Sequence, residues 1–180
     1  MTLTGAEIDS YLEYSYGRWY NTMKSSDDHL IKFKLNADQT LETKKDGKVQ
    51  LDNNYYNYDS AAGIVYTVDV SKPDGEKVTI ISKADGTPFD LKKNYRIATT
   101  SYRGNGGGGH LVKGCGIPSE QLNTRLVFST DKDIRFYLMK WIEERKEITP
   151  KSLNLWNVIP ADWVKVAAER DKELMFGKKE

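Results

Sequence analysis

The run of glycines from Gly106 to Gly109 restricts the fold of this chain more than any other feature of its sequence. Glycine has no side chain to pack and loses more conformational freedom on folding than other residues, so consecutive glycines are costly to order. A folded domain that contains them needs positive φ angles or a close approach of the backbone to another group. The run follows a strand-like segment, residues 95–100, and we predict that this strand leads directly into the glycine loop.

The residues before the glycines indicate what such a loop could contact. Tyr102 supplies an aromatic face, Arg103 a guanidinium and Asn105 an amide. An aromatic ring beside exposed backbone amides suits a planar polar ligand, which stacks on the ring and forms hydrogen bonds along its edge. The segment 101–110 is therefore a candidate ligand-binding loop. A flexible glycine turn that only joins two elements is the alternative, and the residue types fit both.

Two common nucleotide-binding motifs do not fit this loop. The phosphate-binding P-loop needs Lys and Ser or Thr after its last glycine, whereas His110 and Leu111 follow here. The dinucleotide-binding fingerprint needs spaced glycines that open a helix. Here the glycines are contiguous, and we expect the glycine-punctuated segment 111–116 to be a poor helix.

The composition limits the class of protein. With 180 residues the chain fits one domain with a substantial core. Its 27 Lys and Arg balance 26 Asp and Glu, and no basic block predicts binding to a nucleic-acid polymer or an anionic membrane. No apolar run approaches the roughly 20 residues of a membrane span. The single cysteine, Cys115, excludes an internal disulfide, and its glycine neighbours favour a small packed residue over a nucleophile.

The order of the predicted elements favours a single α+β domain with a mixed sheet and flanking helices. A capping box at Thr4 and Glu7 predicts a first helix from about Gly5 to about Met23. Predicted strands cover residues 64–70, 78–81 and 95–100, separated by turns at residues 72–75 and 85–88.

Two further helices are predicted towards the end of the chain. The first begins with the segment 130–133, whose acidic residues lie in its first turn, and stops before Thr149, and the second covers about residues 160–174. Helical spacing predicts that the first of these helices buries Ile134, Tyr137, Leu138, Trp141 and Ile142.

No catalytic group is evident in the sequence. Hydrolysis of a phosphate ester needs metal ligands or a positioned acid–base pair, and a stable metal site needs three or four ligands. His29 is interpreted as a solvated residue after the first helix, and Ser60 has no visible partner. We therefore predict a binding domain without catalytic residues, metal ligands or a cofactor of its own.

The first predicted helix carries a cluster of aromatic residues that could form either a core face or a ligand-stacking surface. Their helical spacing fits a core face better; they are Tyr11, Tyr14, Tyr16, Trp19 and Tyr20.

Three ordered motifs resemble those of a known family. Residues 3–8, LTGAEI, are similar to its L-T-G-x-E-L helix entry, and residues 62–69, AGIVYTVD, to its G-G-hydrophobic-strand-Asp segment. Residues 102–109, YRGNGGGG, are similar to its F-x-x-N-G-G-D-G substrate loop. Residues 148–150, ITP, also stand in the place expected for the family, near the end of the chain. The chain thus resembles the C-terminal domain of the 5′-nucleotidase family, which includes UDP-sugar hydrolases and 2′,3′-cyclic-nucleotide phosphodiesterases.

The resemblance implies a role for the loop residues. Tyr102 takes the place of the family's stacking Phe, and the loop backbone lies beneath the ligand. Gly108 stands where the family has Asp, so the contact of that carboxylate is absent. Either Arg103 or His110 supplies a replacement contact, or both side chains point to solvent. The implied substrate-binding set is Tyr102, Arg103, Asn105, Gly106, Gly107 and Gly108.

The resemblance also implies a two-domain enzyme in which residues 1–180 are the substrate-recognition domain. A metallophosphatase domain with two divalent metal ions hydrolyses the nucleotide, and the C-terminal domain rotates against it to deliver the substrate. That domain would be supplied in cis or from a neighbouring gene. The family's first strand, with a second stacking Phe in a P-F-x-N motif, and an upstream nucleotide-binding arginine are absent from this chain. We therefore expect a piece of a longer protein or the product of a split gene.

The expected function is nucleotide recognition for a nucleotide phosphoesterase, with a 5′-mononucleotide, a cyclic nucleotide or a nucleotide sugar as the substrate. A stand-alone nucleoside- or sugar-binding module without catalysis is the alternative, and a purely structural role is a third hypothesis. The segment from Met1 to Thr4 leads directly into the first helix, so any export signal is expected in a longer parent or to have been removed. The family implies a periplasmic or cell-surface location.

Overall fold

The computed structural model describes residues 1–177 of the chain. Its strands are β1 (Thr2–Thr4), β2 (Ile64–Asp69), β3 (Val78–Lys83), β4 (Asn94–Arg96) and β5 (Trp156–Ile159). Its helices are α1 (Gly5–Trp19), α2 (Ser101–Gly104), α3 (Ile134–Arg145) and α4 (Ala161–Phe176). Short 3₁₀ turns cover Tyr55–Asn57, Gly107–Gly109, Ser119–Gln121 and Asn123–Arg125, and a π turn covers His110–Gly114.

The start of α1 has the predicted capping box. The Glu7 backbone N–H donates to the Thr4 hydroxyl at 3.1 Å, and the Thr4 backbone N–H donates to the Glu7 carboxylate at 2.7 Å. The helix ends at Trp19 rather than at the predicted Met23, because Tyr20 leaves the helix and forms an antiparallel bridge with Ile31.

The strands form two separate sheets. β2 is central in a mixed sheet, paired antiparallel with β3 and parallel with β5. β1 and β4 pair antiparallel in a second, two-stranded sheet. The fold is α+β, as predicted, and the predicted β2–β3 hairpin is confirmed.

The predicted strand over residues 95–100 is wrong in its length and its position. β4 covers only Asn94–Arg96, because β1 offers partners for those residues alone. Met1 and Ile97 add two more hydrogen bonds beyond these strands: the Met1 amino group donates to the Ile97 carbonyl at 3.0 Å, and the Ile97 N–H donates to the Met1 carbonyl at 2.9 Å. The glycine loop therefore does not follow directly from a central strand.

The main core lies where α1, the mixed sheet and α4 meet. Tyr16 and Tyr66 are fully buried, and their hydroxyl groups form a hydrogen bond of 2.8 Å. Tyr20 lies just beyond the helix and is also buried in this core, and Trp19 packs against the same cluster, so the expected burial of these two residues is confirmed. Ala167 brings α4 into the same cluster.

His29 differs from its interpretation as a solvated residue. It is half-buried, and its Nδ1 lies 2.6 Å from Oδ1 of the buried Asp171 in α4. The pairing could not be seen in the sequence because the two residues are 142 positions apart.

The predicted burial of α3 is wrong, although the helix itself forms. The Asp133 side chain caps its first turn by accepting from the Phe136 backbone N–H at 3.0 Å. Helical spacing predicts an apolar face but not a surface that covers it, and within residues 1–177 nothing buries this face. The residues expected to be buried are exposed: Ile134, Tyr137, Leu138, Trp141 and Ile142.

None of the helices in residues 1–177 combines the length and the apolar character that a membrane span requires.

Candidate functional site

A cleft of about 910 Å³ opens between the first half of α1, the segment before β2 and the segment from β4 to α2. This volume lies in the range of small-molecule sites. Aromatic rings and small residues form much of the lining, with a few charged groups. The aromatic residues that line it are Tyr11, Tyr56, Phe89, Tyr95 and Tyr102, and the charged ones are Asp59, Lys83, Arg96 and Arg103.

Tyr102 presents its ring at this cleft. The side chain is 57% exposed, as its predicted role requires. Part of the ring lies against the glycine loop: a Cβ atom at Gly107 would stand only 2.6 Å from two of its ring carbons. The Arg103 guanidinium carbon lies 5.3 Å from the ring centroid. The loop therefore holds the ring in place while leaving more than half of it open to a ligand.

Arg103 is buried and its guanidinium is bound to groups of its own chain. Its Nε and Nη2 donate to the two carboxylate oxygens of Asp59, at 2.7 and 3.0 Å. Such a two-point pair is stronger and more directional than a single hydrogen bond. Nη1 also donates to the Gly107 carbonyl at 3.2 Å. Arg103 is thus held by groups of its own chain beneath the loop, and it also lines the cleft.

Asp59 is the acceptor on which this arrangement depends. Besides Arg103, the Tyr11 hydroxyl donates to its Oδ2 at 2.5 Å. Burial raises the pKa of Asp59, but the hydrogen bonds from Arg103 and Tyr11 outweigh it, and the pKa lies below its ordinary value. Asp59 is therefore ionised under neutral conditions.

His110 does not supply the suggested replacement contact for the missing family carboxylate. It is fully buried and lies behind the cleft, with ring centroids 4.7 Å from Tyr11 and 5.2 Å from Tyr14. Among the described residues neither ring nitrogen has a hydrogen-bond partner. Burial and the nearby positive charge of Arg103 lower the pKa of His110 to about 4.

This buried histidine predicts a pH dependence of stability. Because the pKa of His110 in the folded state lies below the value of about 6.5 in an unfolded chain, its stabilising contribution is complete above pH ~6.5 and is lost as the pH falls towards 4. We expect the free energy of unfolding, measured by urea denaturation, to fall over this window. The groups that act on His110 are Tyr11, Tyr14, Asp59, Arg103 and Arg18. The pKa of Asp59 is held below its ordinary value by Arg103 and Tyr11, so Asp59 stays ionised over this window.

A His110→Leu variant isolates the contribution of this histidine. The variant keeps an apolar side chain between the two tyrosines but cannot take up a proton, so its stability should depend less on pH. If the free energy of unfolding depends on pH equally in the wild type and in His110→Leu, His110 is not the source of this pH dependence.

The glycines adopt the positive φ angles that their sequence predicts. The φ angles are 87° at Gly106, 75° at Gly108 and 83° at Gly109. Other groups of the chain approach this backbone closely. A Cβ at Gly108 would collide with the Arg103 guanidinium, and one at Gly109 would stand 2.8 Å from the Tyr14 hydroxyl. The segment after the glycines forms only one π turn, His110–Gly114, which agrees with the prediction of a poor helix.

The predicted site residues thus fall into two groups. Tyr102 and Arg103 line the cleft, whereas Asn105, Gly106, Gly107 and Gly108 form the turns that support them. Sequence reasoning missed Asp59 and Tyr56, because the run of residues 55–59 gave no sign of contact with a loop more than 40 positions away. It also missed a stacked pair on the cleft wall, Phe89 and Tyr95, whose ring centroids are 4.7 Å apart.

The reactive side chains of residues 1–177 are possible metal ligands and one thiol. Within residues 1–177 no three His, Cys, Asp or Glu side chains come together as possible ligands of a metal ion. The Cys115 thiol donates to the Glu7 carbonyl at 3.1 Å, and burial raises its pKa to about 12. Cys115 is therefore a packed thiol, as predicted, rather than a nucleophile.

The fold and the site together define a small α+β domain with an aromatic cleft supported by a glycine-rich turn. The family model described as "5'-nucleotidase, C-terminal domain" matches residues 1–113. The chain belongs to this family, which confirms the resemblance seen in its motifs.

Similar proteins carry phosphoesterase names. The chain is 27% identical to the trifunctional nucleotide phosphoesterase protein YfkN of Bacillus subtilis over 93% of its own length and 10% of that protein. It is 30% identical to a 2′,3′-cyclic-nucleotide 2′-phosphodiesterase/3′-nucleotidase of Salmonella typhimurium over 58% of its length and 17% of that protein. The chain therefore spans less than a fifth of either relative.

A solved structure has the same fold. It is a putative 5′-nucleotidase from Staphylococcus aureus in complex with alpha-ketoglutarate, with a TM-score of 0.54 and 20% sequence identity. The match covers 88% of this chain and 26% of that one.

Proposed function

We propose that this chain is the substrate-recognition domain of a nucleotide phosphoesterase, and that the cleft beside Tyr102 holds the nucleoside part of the substrate. The observation that carries the proposal is the position of Tyr102, whose ring is fixed against the loop and still open at an aromatic cleft. Aromatic rings with an exposed face bind nucleobases by stacking, which contributes about 1–3 kcal/mol per base.

In this proposal hydrolysis takes place in a metallophosphatase domain outside this chain, in cis or from a neighbouring gene. Two divalent metal ions in that domain would activate the attacking water and stabilise the phosphate. The residues described here do not form a ligand set for such ions, so their part is to bind and orient the nucleotide. A periplasmic or cell-surface location belongs to the same proposal and follows from family resemblance.

The proposal is tested by binding of nucleotides to the 180-residue chain. Because one stack contributes only a few kcal/mol and association costs at least as much, we expect weak binding, which NMR titration can follow. AMP, 2′,3′-cyclic AMP and UDP-glucose represent the three substrate classes. Ribose 5-phosphate serves as the ligand without a base.

The Tyr102→Ala variant is expected to bind the base-containing ligands roughly 10- to 100-fold more weakly, the equivalent of one stack. Tyr102→Phe should bind nearly as well as the wild type, since the ring face rather than the hydroxyl contacts the base. Binding of ribose 5-phosphate should stay unchanged in both variants. An equal loss for ligands with and without a base would show that Tyr102 is structural, and the proposed site would be wrong.

A further inference from the structure

Residues 127–154 form a surface segment that carries α3. Every residue in this range is exposed. Within the described part of the chain, the hydrogen bonds and ion pairs of these residues join only members of the same range. The segment can therefore change its position without breaking a polar contact to the rest of the domain.

The first residue of α3, Ile134, is the point at which this segment meets the cleft. Ile134 lines the cleft and is nevertheless 74% exposed, so it lies at the cleft opening. On a helix, apolar residues three, four, seven and eight positions further on share the face of the first one. The apolar face of α3 therefore starts at the cleft opening, and its other members are Tyr137, Leu138, Trp141 and Ile142.

This face is unfavourable in water as long as nothing covers it. Each of its five residues is at least 42% exposed, and soluble monomers rarely expose contiguous apolar patches of more than a few hundred Å². A helix shorter than about 12–15 residues is also marginally stable in water without tertiary packing, and α3 has 12 residues. Both effects favour an arrangement in which the face is covered.

The cleft opening is the surface that fits this requirement. Much of the cleft lining is aromatic or small, and it is continuous with the α3 face through Ile134. The segments on either side of α3, residues 126–133 and 146–155, contain no helix or strand. Lids of enzymes move about such connecting segments, and a rotation about these two would lay α3, about 18 Å long at 1.5 Å per residue, across the opening.

We propose that α3 is a lid that closes over the cleft when a nucleotide binds. In the closed arrangement Leu138 and Trp141 pack over the opening and exclude water from the ligand. This inference rests on the proposed function, because the base of the nucleotide completes the apolar surface on which the helix packs. The closed arrangement also accounts for the helical spacing of the face, which predicts a burial that the open arrangement does not provide.

The accessibility of Trp141 to acrylamide reports the position of the lid in the 180-residue chain. Trp19, Trp156 and Trp163 pack against the main core, whereas Trp141 lies on α3 and is 42% exposed. Saturating AMP should reduce the quenching of Trp141 fluorescence by acrylamide, and ribose 5-phosphate, which has no base to pack on, should not. In the Trp141→Phe control the three remaining tryptophans should be quenched equally with and without AMP.

Two neighbouring residues of α3 provide a matched pair of variants. Leu138 belongs to the packing face, whereas Met139 lies about 100° further around the helix, and the two are 52% and 62% exposed. Leu138→Asp should bind AMP about 10-fold or more weakly, because closure would bury a carboxylate in place of an apolar side chain. Met139→Asp should bind AMP as the wild type does. Neither residue is buried in the free protein, so both variants should keep the wild-type melting temperature.

Three results would overturn the inference. The first is AMP binding without any change in the quenching of Trp141, and the second is equal AMP affinity of Leu138→Asp and Met139→Asp. The third is protection of Trp141 that increases with protein concentration in the absence of AMP, which would show that a second copy of the chain covers α3.

The outcomes also distinguish the lid from the function on which it rests. If the wild-type chain binds AMP more tightly than ribose 5-phosphate while Trp141 stays accessible, the cleft binds nucleotides and α3 is not a lid. If it binds AMP no better than ribose 5-phosphate, the proposed function is wrong, and the lid fails with it.

Discussion

Replacement of Asp59 by alanine is expected to lower the free energy of unfolding by about 3 kcal/mol. The variant leaves the Arg103 guanidinium buried without its counter-ion, and removing one partner of a buried ion pair costs about 3–5 kcal/mol. The lower end applies because the Asp59 side chain is 27% exposed and water can reach part of the site. The Tyr11 hydroxyl also loses its acceptor.

Urea denaturation of the Asp59→Ala variant measures this loss. Glu143→Ala is the control, since Glu143 accepts from Lys140 at 2.9 Å in an exposed pair on α3. Exposed pairs contribute at most about 1 kcal/mol, so the control should stay close to the wild type. Similar small losses for both variants would show that the Asp59–Arg103 pair does not hold the loop in place.

Replacement of Asp171 by alanine should destabilise the protein by a similar amount, about 3–5 kcal/mol. Asp171 is buried in α4, and its Oδ2 accepts from the backbone N–H groups of Leu30 and Ile31 at 2.7 and 3.0 Å. Each buried donor left without a partner costs about 1–3 kcal/mol. His29 would lose its partner as well.

Amide hydrogen exchange followed by NMR gives a local measure of the Asp171→Ala variant. The amides of Leu30 and Ile31 should exchange faster than in the wild type, beyond the effect of the global loss of stability. The control is Glu169→Ala, on the same helix, which removes an exposed contact with Lys172. Unchanged protection of the Leu30 and Ile31 amides in the variant would show that Asp171 does not stabilise this segment by accepting their hydrogen bonds.

The contacts of Asp171 indicate how far along the chain the folded domain extends. α4 lies outside residues 1–113, which the family model matches. Its Ala167 is nevertheless part of the main core, and Asp171 bonds the segment that follows α1. We therefore propose that the folded unit extends beyond the matched residues and includes α4.

The features predicted correctly from the sequence are those that depend on local chemistry. The capping box at Thr4 and Glu7 places the start of α1 because both partners lie within one helical turn. The β2–β3 hairpin follows from β-branched residues on both sides of a Pro-Asp-Gly turn. Tyr102, predicted to supply an aromatic face to a ligand, is exposed.

The features that the sequence did not reveal depend on contacts between distant segments. α3 was expected to be buried because its spacing is helical, but spacing carries no information about a covering surface. β4 is short because β1 offers only a few partners. The pairing of Asp59 with Arg103 joins residues 44 positions apart, and nothing in either segment signals the other.

The Arg103 guanidinium beneath the loop limits which residues position 108 can carry. Arg103 occupies the space that any side chain at position 108 would need, and Gly108 has a φ angle of 75° that disfavours other residues. The acidic residue that the family motif carries there therefore requires the Arg103 guanidinium to move out of this space or to be replaced.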